Sequence, residues 1–248
     1  MSTLAIIPAR YQSSRFPGKP LADIAGKTMI HRVYERCKTA FDYVIVATDD
    51  KRIEDEVTSF SGESVMTSQK HPNGTSRVLE AYQIYCKSHP DISIDLIINI
   101  QGDEPLISPK QLSSLEQTFA DPKVELATLG KKIENNEELF DSNTPKVIID
   151  NSSYALYFSR STIPYLRDYE KTEWLKHHTF YKHIGLYAYR PHILAQIVSM
   201  AIGNLEKAES LEQLRWLENG LKIKVVETDY ESVSVDLPSD IEKVLANL

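Results

Sequence analysis

The sequence predicts an α/β protein, with one body on a mostly parallel central sheet and a subdomain inserted in its second half. Three observations carry this. Strand-like and helix-like segments alternate through the first half, as crossovers between parallel strands require. Leu96-Ile97-Ile98-Asn99-Ile100 is apolar on both faces, the pattern of a central strand. Leu4-Ala5-Ile6-Ile7 is a further apolar run, and beyond Pro8 it opens into a loop, Ala9 to Lys19. Such loops, at the carboxyl ends of strands, are where open α/β sheets bind ligands.

In chain order, Leu4 to Pro8 is the first strand, and a helix from about Thr28 to Ala40 puts Met29, Ile30, Val33 and Cys37 on one face. Tyr43 to Thr48 is the second strand, and Asp49-Asp50 can cap a helix running to Phe60. Glu63 to Thr67 is a short strand, and the turn His71 to Arg77 feeds a helix through about Ser88. Leu96 to Ile100 ends in Gln101-Gly102-Asp103-Glu104-Pro105, and Pro109 starts another helix. The second half is different in character. Val124 to Lys132 and Lys146 to Asp150 read as strands joined by an acidic helix, Asn136 to Phe140. Tyr154 to Ser159 and His183 to Tyr189 read as aromatic-rich strands flanking a polar loop or short helix, Arg167 to His178. Glu209 to Asn219 reads as a helix stopped by Gly220, Lys222 to Thr228 as a strand, Ser232 to Val235 as a last short strand, and the end, from Pro238, as a helix.

With 248 residues, 42% of them hydrophobic and 25% charged, the chain can bury a substantial core. A formal charge of -7 excludes general nucleic-acid binding, so an anionic ligand must be held by a local cluster of cations. Cys37 and Cys86 form no metal or redox motif and are expected to be reduced thiols. With no secretory leader visible and no apolar run approaching about 20 residues, a cytoplasmic protein is expected, with no membrane partner.

The loop after the first strand carries Arg10, Arg15 and Lys19, the hydroxyls of Ser13 and Ser14, and Gly18 where the backbone turns or approaches closely. Guanidinium forks and a movable ammonium suit a polyphosphate. The same residues also read as a solvated basic turn, and the loop alone leaves both open. Asp103 follows the most apolar strand at the same edge of the sheet, and Asp236 ends the Val233-Ser234-Val235 run. Two carboxylates near a cationic loop suggest Mg²⁺, which takes one or two carboxylates and completes its shell with phosphate oxygens and water. In the strand from His183 to Tyr189, period-two geometry places His183, Gly185 and Tyr187 on one face, which is either a ligand notch or a covered sheet face. Gly26-Lys27-Thr28 imitates the end of a P-loop but lacks its first glycine, and no dinucleotide or hydrolase motif is present. His177 and His178 read as surface histidines rather than a zinc set.

Taken together, Ile6-Ile7-Pro8-Ala9-Arg10, Ser13-Ser14-Arg15-Phe16-Pro17-Gly18-Lys19-Pro20-Leu21, Gly74-Thr75-Ser76-Arg77, Asn99 to Pro105, Tyr154 to Arg160, His183 to Tyr187, Leu211 to Arg215 and Val235-Asp236 resemble the signature of the CMP-sugar synthetases. The likeness is strongest to the 3-deoxy-manno-octulosonate (Kdo) cytidylyltransferases. It spans nearly the whole chain. It implies a three-layer α/β/α fold of the nucleotide-diphospho-sugar transferase type, with residues of about 1–120 and 205–248 as nucleotide-binding body and about 125–200 as sugar-binding and dimerisation subdomain. It implies a Mg²⁺-dependent reaction of CTP with Kdo, giving CMP-Kdo and pyrophosphate for lipopolysaccharide synthesis, in a homodimer. By the resemblance Ala9, Arg10, Lys19, Thr75, Arg77, Gln101 and Asp103 bind nucleotide, and Asp103 and Asp236 hold the metal. Arg15 and Lys19 offset phosphate charge, and Arg15, Arg160, His183, Tyr187, Glu212 and Gln213 hold the sugar acid. One departure stands out: Ser76 occupies a slot that is usually acidic, and Asn73 one that is usually serine. The change is either neutral, or tracks a related sugar such as 8-amino-Kdo or a changed metal requirement. A non-catalytic nucleotide-binding homologue, or a transferase for a phosphorylated sugar, is the competing reading. Survival of Lys19 and both aspartates speaks against the first, and the His183 and Glu212-Gln213 motifs against the second.

Overall fold

The protein, described here by a computed structural model, is defined from Met1 to Leu248 apart from Ser14 and Ser232. Ser14, one of the loop's two hydroxyls, and Ser232, the start of the expected last strand, lie outside the described residues. The chain divides into two units: Met1–Glu116 with Ala188–Val198 and Ser232–Leu248, and Gln117–Tyr187 with Ser199–Glu231.

The first unit begins with β1 (Thr3–Ala9), then a two-residue hairpin, β2 (Asp23–Ile24) and β3 (Lys27–Thr28). There follow α1 (Met29–Ala40), β4 (Tyr43–Thr48), α2 (Lys51–Ser59), β5 (Ser64–Met66), α3 (Gly74–Ser88), β6 (Leu96–Asn99) and α4 (Pro109–Gln117). The strands lie in the order β6-β1-β4-β5 and every pair is parallel. Leu4 to Ile7 and Leu96 to Ile98 are completely buried, as the two-sided apolar pattern required. Register pairs Ile6 with Asn99, so the loops after β1 and β6 leave the sheet side by side. The helices start where capping chemistry places them. Thr28, Asp50 and Asn73 accept from the backbone N–H of His31, Arg52 and Ser76 respectively. Each such cap is worth about 1 kcal/mol.

The second unit contains β7 (Leu126–Lys132), α5 (Asn136–Phe140), β8 (Lys146–Ile149), β9 (Ala155–Ser159), α6 (Trp174–His177) and β10 (Tyr181–Tyr189), whose last two residues belong to the first unit. After α7 (Pro191–Ser199) come α8 (Asn204–Glu209), α9 (Gln213–Glu218) and β11 (Lys224–Glu227), and the chain ends in α10 (Asp240–Leu245). β11 is parallel to β7, whereas β8 is antiparallel to both β9 and β10. Ile133, Leu139, Trp174 and Phe180 form a separate apolar cluster here.

Three expectations are corrected. Residues 205–231 belong with the second unit, not the nucleotide-binding body, because β11 pairs with β7 and α9 packs on β9. The single helix expected over Glu209 to Asn219 is two, since Ser210 adopts a left-handed conformation (φ 53°) that terminates α8. Val233 to Val235 form no strand; one backbone bond, from Val235 N–H to Asp103 O at 2.9 Å, replaces a ladder. The polar segment 167–178 holds a 3₁₀ turn (Lys171–Glu173) leading into α6, the short helix that was one of its two expected forms.

Candidate active site

β1 and β6 deliver the site. Beyond β1, the loop folds back so that Gly18 N–H donates to Tyr11 O at 2.8 Å, with Gly18 at φ 74°. A Cβ there would press on the Tyr11 ring at 3.2 Å, so the turn needs glycine on both counts. Arg52 of α2 lies over the Tyr11 ring, its guanidinium 3.2 Å from the ring centroid, and fixes that ring. Beyond β6, Gly102 passes so close to β1 that a Cβ would sit 2.9 Å from Pro8 O. Between these turns lies a cavity of about 390 Å³. Ala9, Arg10, Lys19, Gln101 and Asp103 line it, and Gly74 brings the start of α3 to its wall.

Charge is concentrated at one side of this cavity. Lys19 Nζ is 2.6 Å from Asp103 Oδ2 and 3.7 Å from Asp236 Oδ1, while Arg15 Nη2 is 3.0 Å from the same Asp236 oxygen. The side chains of Lys19 and Asp103 are mostly buried (15% and 28% exposed), whereas Arg15 and Asp236 face solvent. Two carboxylates thus converge on one ammonium, which occupies the kind of position a divalent cation takes between such ligands. The donor set suits Mg²⁺: two oxygens from protein, with room for phosphate and water to supply the rest. Among the described residues no group of three or more His, Cys, Asp or Glu side chains forms a metal cluster, so the protein alone would not complete such a shell.

Two predicted nucleotide residues stand behind the cavity wall. Thr75 is buried in the first turn of α3. Arg77 is wholly buried, its Nη2 2.6 Å from Asp49 Oδ2 and its Nη1 2.5 Å from Thr67 Oγ1, so it ties α3 to the ends of β4 and β5. The unusual Ser76 joins a local network. Its hydroxyl donates to Asn73 O at 3.1 Å and meets His71 Nδ1 at 3.1 Å, while His71 Nε2 lies 2.5 Å from Glu80 Oε2. Burial pushes the Glu80 carboxyl up, but the His71 bond and the Ser68 N–H outweigh it and hold the group below its usual range. The negative charge missing at position 76 is therefore present one helical turn later.

Of the predicted sugar residues, Arg160, His183, Tyr187, Glu212 and Gln213 lie in the second unit, whereas Arg15 stands in the first, against Asp236. His183 and Tyr187 share a face of β10 with ring centroids 5.5 Å apart, as period two requires, and Phe158 meets the His183 ring edge-on at 4.9 Å. Gln213 Nε2 is 3.5 Å from His183 Nδ1. Burial pushes the His183 imidazole down, to about 3, so the ring is neutral. Arg160 donates to three main-chain carbonyls, those of Glu209, Ser142 and Ser210, and so is braced with part of its five-proton fork already used. Arg215 went unassigned in the sequence. It is buried and holds Glu212 Oε1 at 2.9 Å, Glu206 Oε2 at 3.1 Å and Met200 O at 2.9 Å. His177 stacks on Tyr169 and lines, with His178, a separate cavity of about 560 Å³ that holds none of the predicted site residues. The Gly26-Lys27-Thr28 segment is the turn and second strand of the hairpin, with Thr28 capping α1.

A family model described as Cytidylyltransferase matches residues 4–223. The chain belongs to the cytidylyltransferase family. This cytidylyltransferase is 53% identical over 252 residues to a 3-deoxy-manno-octulosonate cytidylyltransferase of Parabacteroides distasonis, covering 100% of this chain and 98% of that one. It is 54% identical to the enzyme of the same name from Cytophaga hutchinsonii, over 98% of this chain and 96% of the other. Its fold matches the solved structure of a CMP:2-keto-3-deoxy-manno-octonic acid synthetase complexed with CTP, with a TM-score of 0.89, 40% identity, and coverage of 100% of this chain and 98% of that one. The cytidylyltransferase thus has the mostly parallel, helix-flanked fold that the sequence predicted.

Proposed function

We propose that the protein transfers the cytidylyl group of CTP to Kdo, releasing pyrophosphate. The observation that carries this reading is the convergence of Lys19 and Arg15 on Asp103 and Asp236 at the side of the β1–β6 cavity. It occurs in a chain about half identical, end to end, to enzymes named for that reaction. The C2 hydroxyl of the sugar attacks the α-phosphorus in line. A bond forms from that oxygen to phosphorus, the bond from phosphorus to the bridging oxygen breaks, and pyrophosphate leaves with the electron pair. The hydroxyl proton passes to solvent. No protein nucleophile is needed.

Asp103 and Asp236 would hold Mg²⁺, which supplies charge neutralisation at the phosphates and a lowered pKa for the attacking hydroxyl. Lys19 and Arg15 would then be released from these carboxylates to meet phosphate oxygens, where charge grows in the transition state. Arg10, Gln101 and the backbone at Ala9 and Gly74 position the nucleotide in the cavity, and Arg77 with Thr75 holds the wall rigid. In the second unit, His183, Tyr187, Glu212 and Gln213 offer neutral and acidic partners for the hydroxyls of the sugar, and the remaining guanidinium protons of Arg160 suit its carboxylate. We place this activity in the cytoplasm, supplying lipopolysaccharide synthesis. Cys37 and Cys86 are free thiols, and no helix among the described residues is long and apolar enough to cross a membrane. A homodimer through the second unit is supported by its exposed Leu156, Tyr165 and Tyr169.

Pyrophosphate release measured with CTP, Mg²⁺ and a panel of sugar acids tests the proposal. Release is expected with Kdo, with CTP preferred over UTP, GTP and ATP. Absence of release with every 3-deoxy-ulosonic acid would overturn it, and a preference for 8-amino-Kdo would assign the Ser76 departure to the sugar.

A further inference from the structure

The ring of His183 is held by a residue that no motif marks. Thr128 sits in the buried stretch of β7, and its side chain is inaccessible to solvent. Its Oγ1 lies 2.8 Å from Leu186 O, 3.1 Å from Ile184 O and 3.0 Å from His183 Nε2. A hydroxyl has one proton to donate and two lone pairs. Both carbonyls can only accept, and the proton goes to the nearer of them. Towards His183 the oxygen therefore presents a lone pair, and Nε2 must carry hydrogen. The other side of the ring agrees. The amide nitrogen of Gln213, a donor only, faces Nδ1 at 3.5 Å, a placement that suits a lone pair there. A neutral imidazole has a single N–H, and the hydrogen-bond network assigns it to Nε2. Phe158 and Tyr187 restrict the tilt of the ring.

We propose that Thr128 is a positioning residue that fixes His183 as the Nε2–H tautomer, leaving Nδ1 as the acceptor for a hydroxyl of the sugar acid. The proposal rests on the placement of His183 in the sugar site. At 3.5 Å the Gln213 contact is longer than a good hydrogen bond, so a ligand hydroxyl displaces little by taking Nδ1. The opposite tautomer would aim an N–H at the Gln213 amide and replace the acceptor by a donor. Selection would then be lost for a hydroxyl whose own lone pairs are used elsewhere.

The test uses the whole enzyme labelled with ¹⁵N-histidine, with His183→Asn to assign the signals. Wild type is expected to show a pyrrole-type Nε2 and a pyridine-type Nδ1 at His183, and Thr128→Ser should keep both. Thr128→Val removes the hydroxyl at nearly constant shape and is expected to populate the Nδ1–H form. It should raise KM for the sugar acid about tenfold, the effect of one hydrogen bond, while KM for CTP stays unchanged. Thr128→Ser should restore the wild-type KM. A wild-type ring protonated at Nδ1, or a Thr128→Val ring with unchanged tautomer, would overturn the proposal. So would an equal rise in both KM values, which marks a merely structural loss. If Thr128→Val does not fold, the spectra of wild type and Thr128→Ser still decide the tautomer. Those spectra need no substrate, so inactivity of the wild type on every sugar acid would refute the proposed reaction and leave the tautomer assignment standing.

Discussion

Lys19 occupies the space between Asp103 and Asp236, so removing its charge should weaken catalysis and strengthen cation binding at once. In Lys19→Met the stem is retained and the ammonium lost. The bond to Asp103 at 2.6 Å is charge-assisted and mostly buried, worth about 1.5–3 kcal/mol. The 3.7 Å contact to Asp236 is solvent-screened and adds well under 1 kcal/mol. A divalent cation must displace Lys19 from Asp103 in the wild type but not in the variant. At about 1.4 kcal/mol per tenfold, its affinity for the nucleotide-free variant should rise roughly ten- to hundredfold. The same ammonium is then missing from the phosphates, and loss of one such preorganised donor costs about 10²–10³ in kcat. Titration calorimetry with Mn²⁺ reads the first effect, and pyrophosphate release at saturating CTP the second. Weaker or unchanged Mn²⁺ binding in Lys19→Met would refute the idea that ammonium and metal compete for the same carboxylates.

Gly102→Ala would place a methyl 2.9 Å from Pro8 O, so the β1 and β6 ends must separate; we expect a loss of about 1–3 kcal/mol in urea unfolding together with weakened CTP binding by calorimetry. Arg215→Met strands Glu206 and Glu212 in a largely buried site, and a loss of about 3–5 kcal/mol in the unfolding transition is expected, with Glu212 misplaced and KM for the sugar raised. His183 titrates near 6.5 unfolded but about 3 folded, so below pH 6.5 the unfolded chain binds the extra proton. Stability should fall as pH drops from 6.5 towards 3, by up to about 1.4 kcal/mol per unit from this group, and His183→Asn should flatten that slope in denaturant titrations. Glu80 is held below 4.5 when folded, so its contribution is full above that value and disappears as pH falls through the folded pKa; Glu80→Gln should remove this acid limb and loosen His71.

The alternation in the first unit was legible because β1, β4 and β6 are short apolar runs and α1, α2 and α3 start at recognisable caps. Asp50 and Thr28 signal their helices by chemistry local enough to read from sequence. The two-residue strands of the β2–β3 hairpin are too short to show a period. α7 was missed although Pro191 at its start and buried Ile193, Leu194 and Ile197 along one face carried the signal. The break at Ser210 had no sequence mark, since left-handed backbone at serine is decided by tertiary context. At the site, the cationic loop and Asp103 could be argued from their positions at strand ends. The meeting of Arg15 with Asp236 joins residues 221 apart in sequence; the run ending at Asp236 suggested a second carboxylate for the site, but no local pattern names Arg15 as its partner. Nothing in a chain of letters distinguishes Arg77 facing inward from Arg77 facing ligand, nor marks Thr128, a hydroxyl inside an apolar strand, as a partner for a histidine 55 residues on.

The first unit is assembled from three separate stretches of chain, the last of which is Ser232–Leu248. This has a consequence for how the protein is made. A nascent chain released after Glu231 would carry every strand of the β6-β1-β4-β5 sheet yet lack Asp236 and the backbone bond from Val235 to Asp103. It would also lack Val235 and Val244, half of the apolar cluster that they form with Ile24 and Met29. Closing so long a loop is slow, and it comes after synthesis rather than during it. On the proposed reading, in which Asp236 is one of the site's two carboxylates, the site cannot be completed before this last stretch of chain has been made.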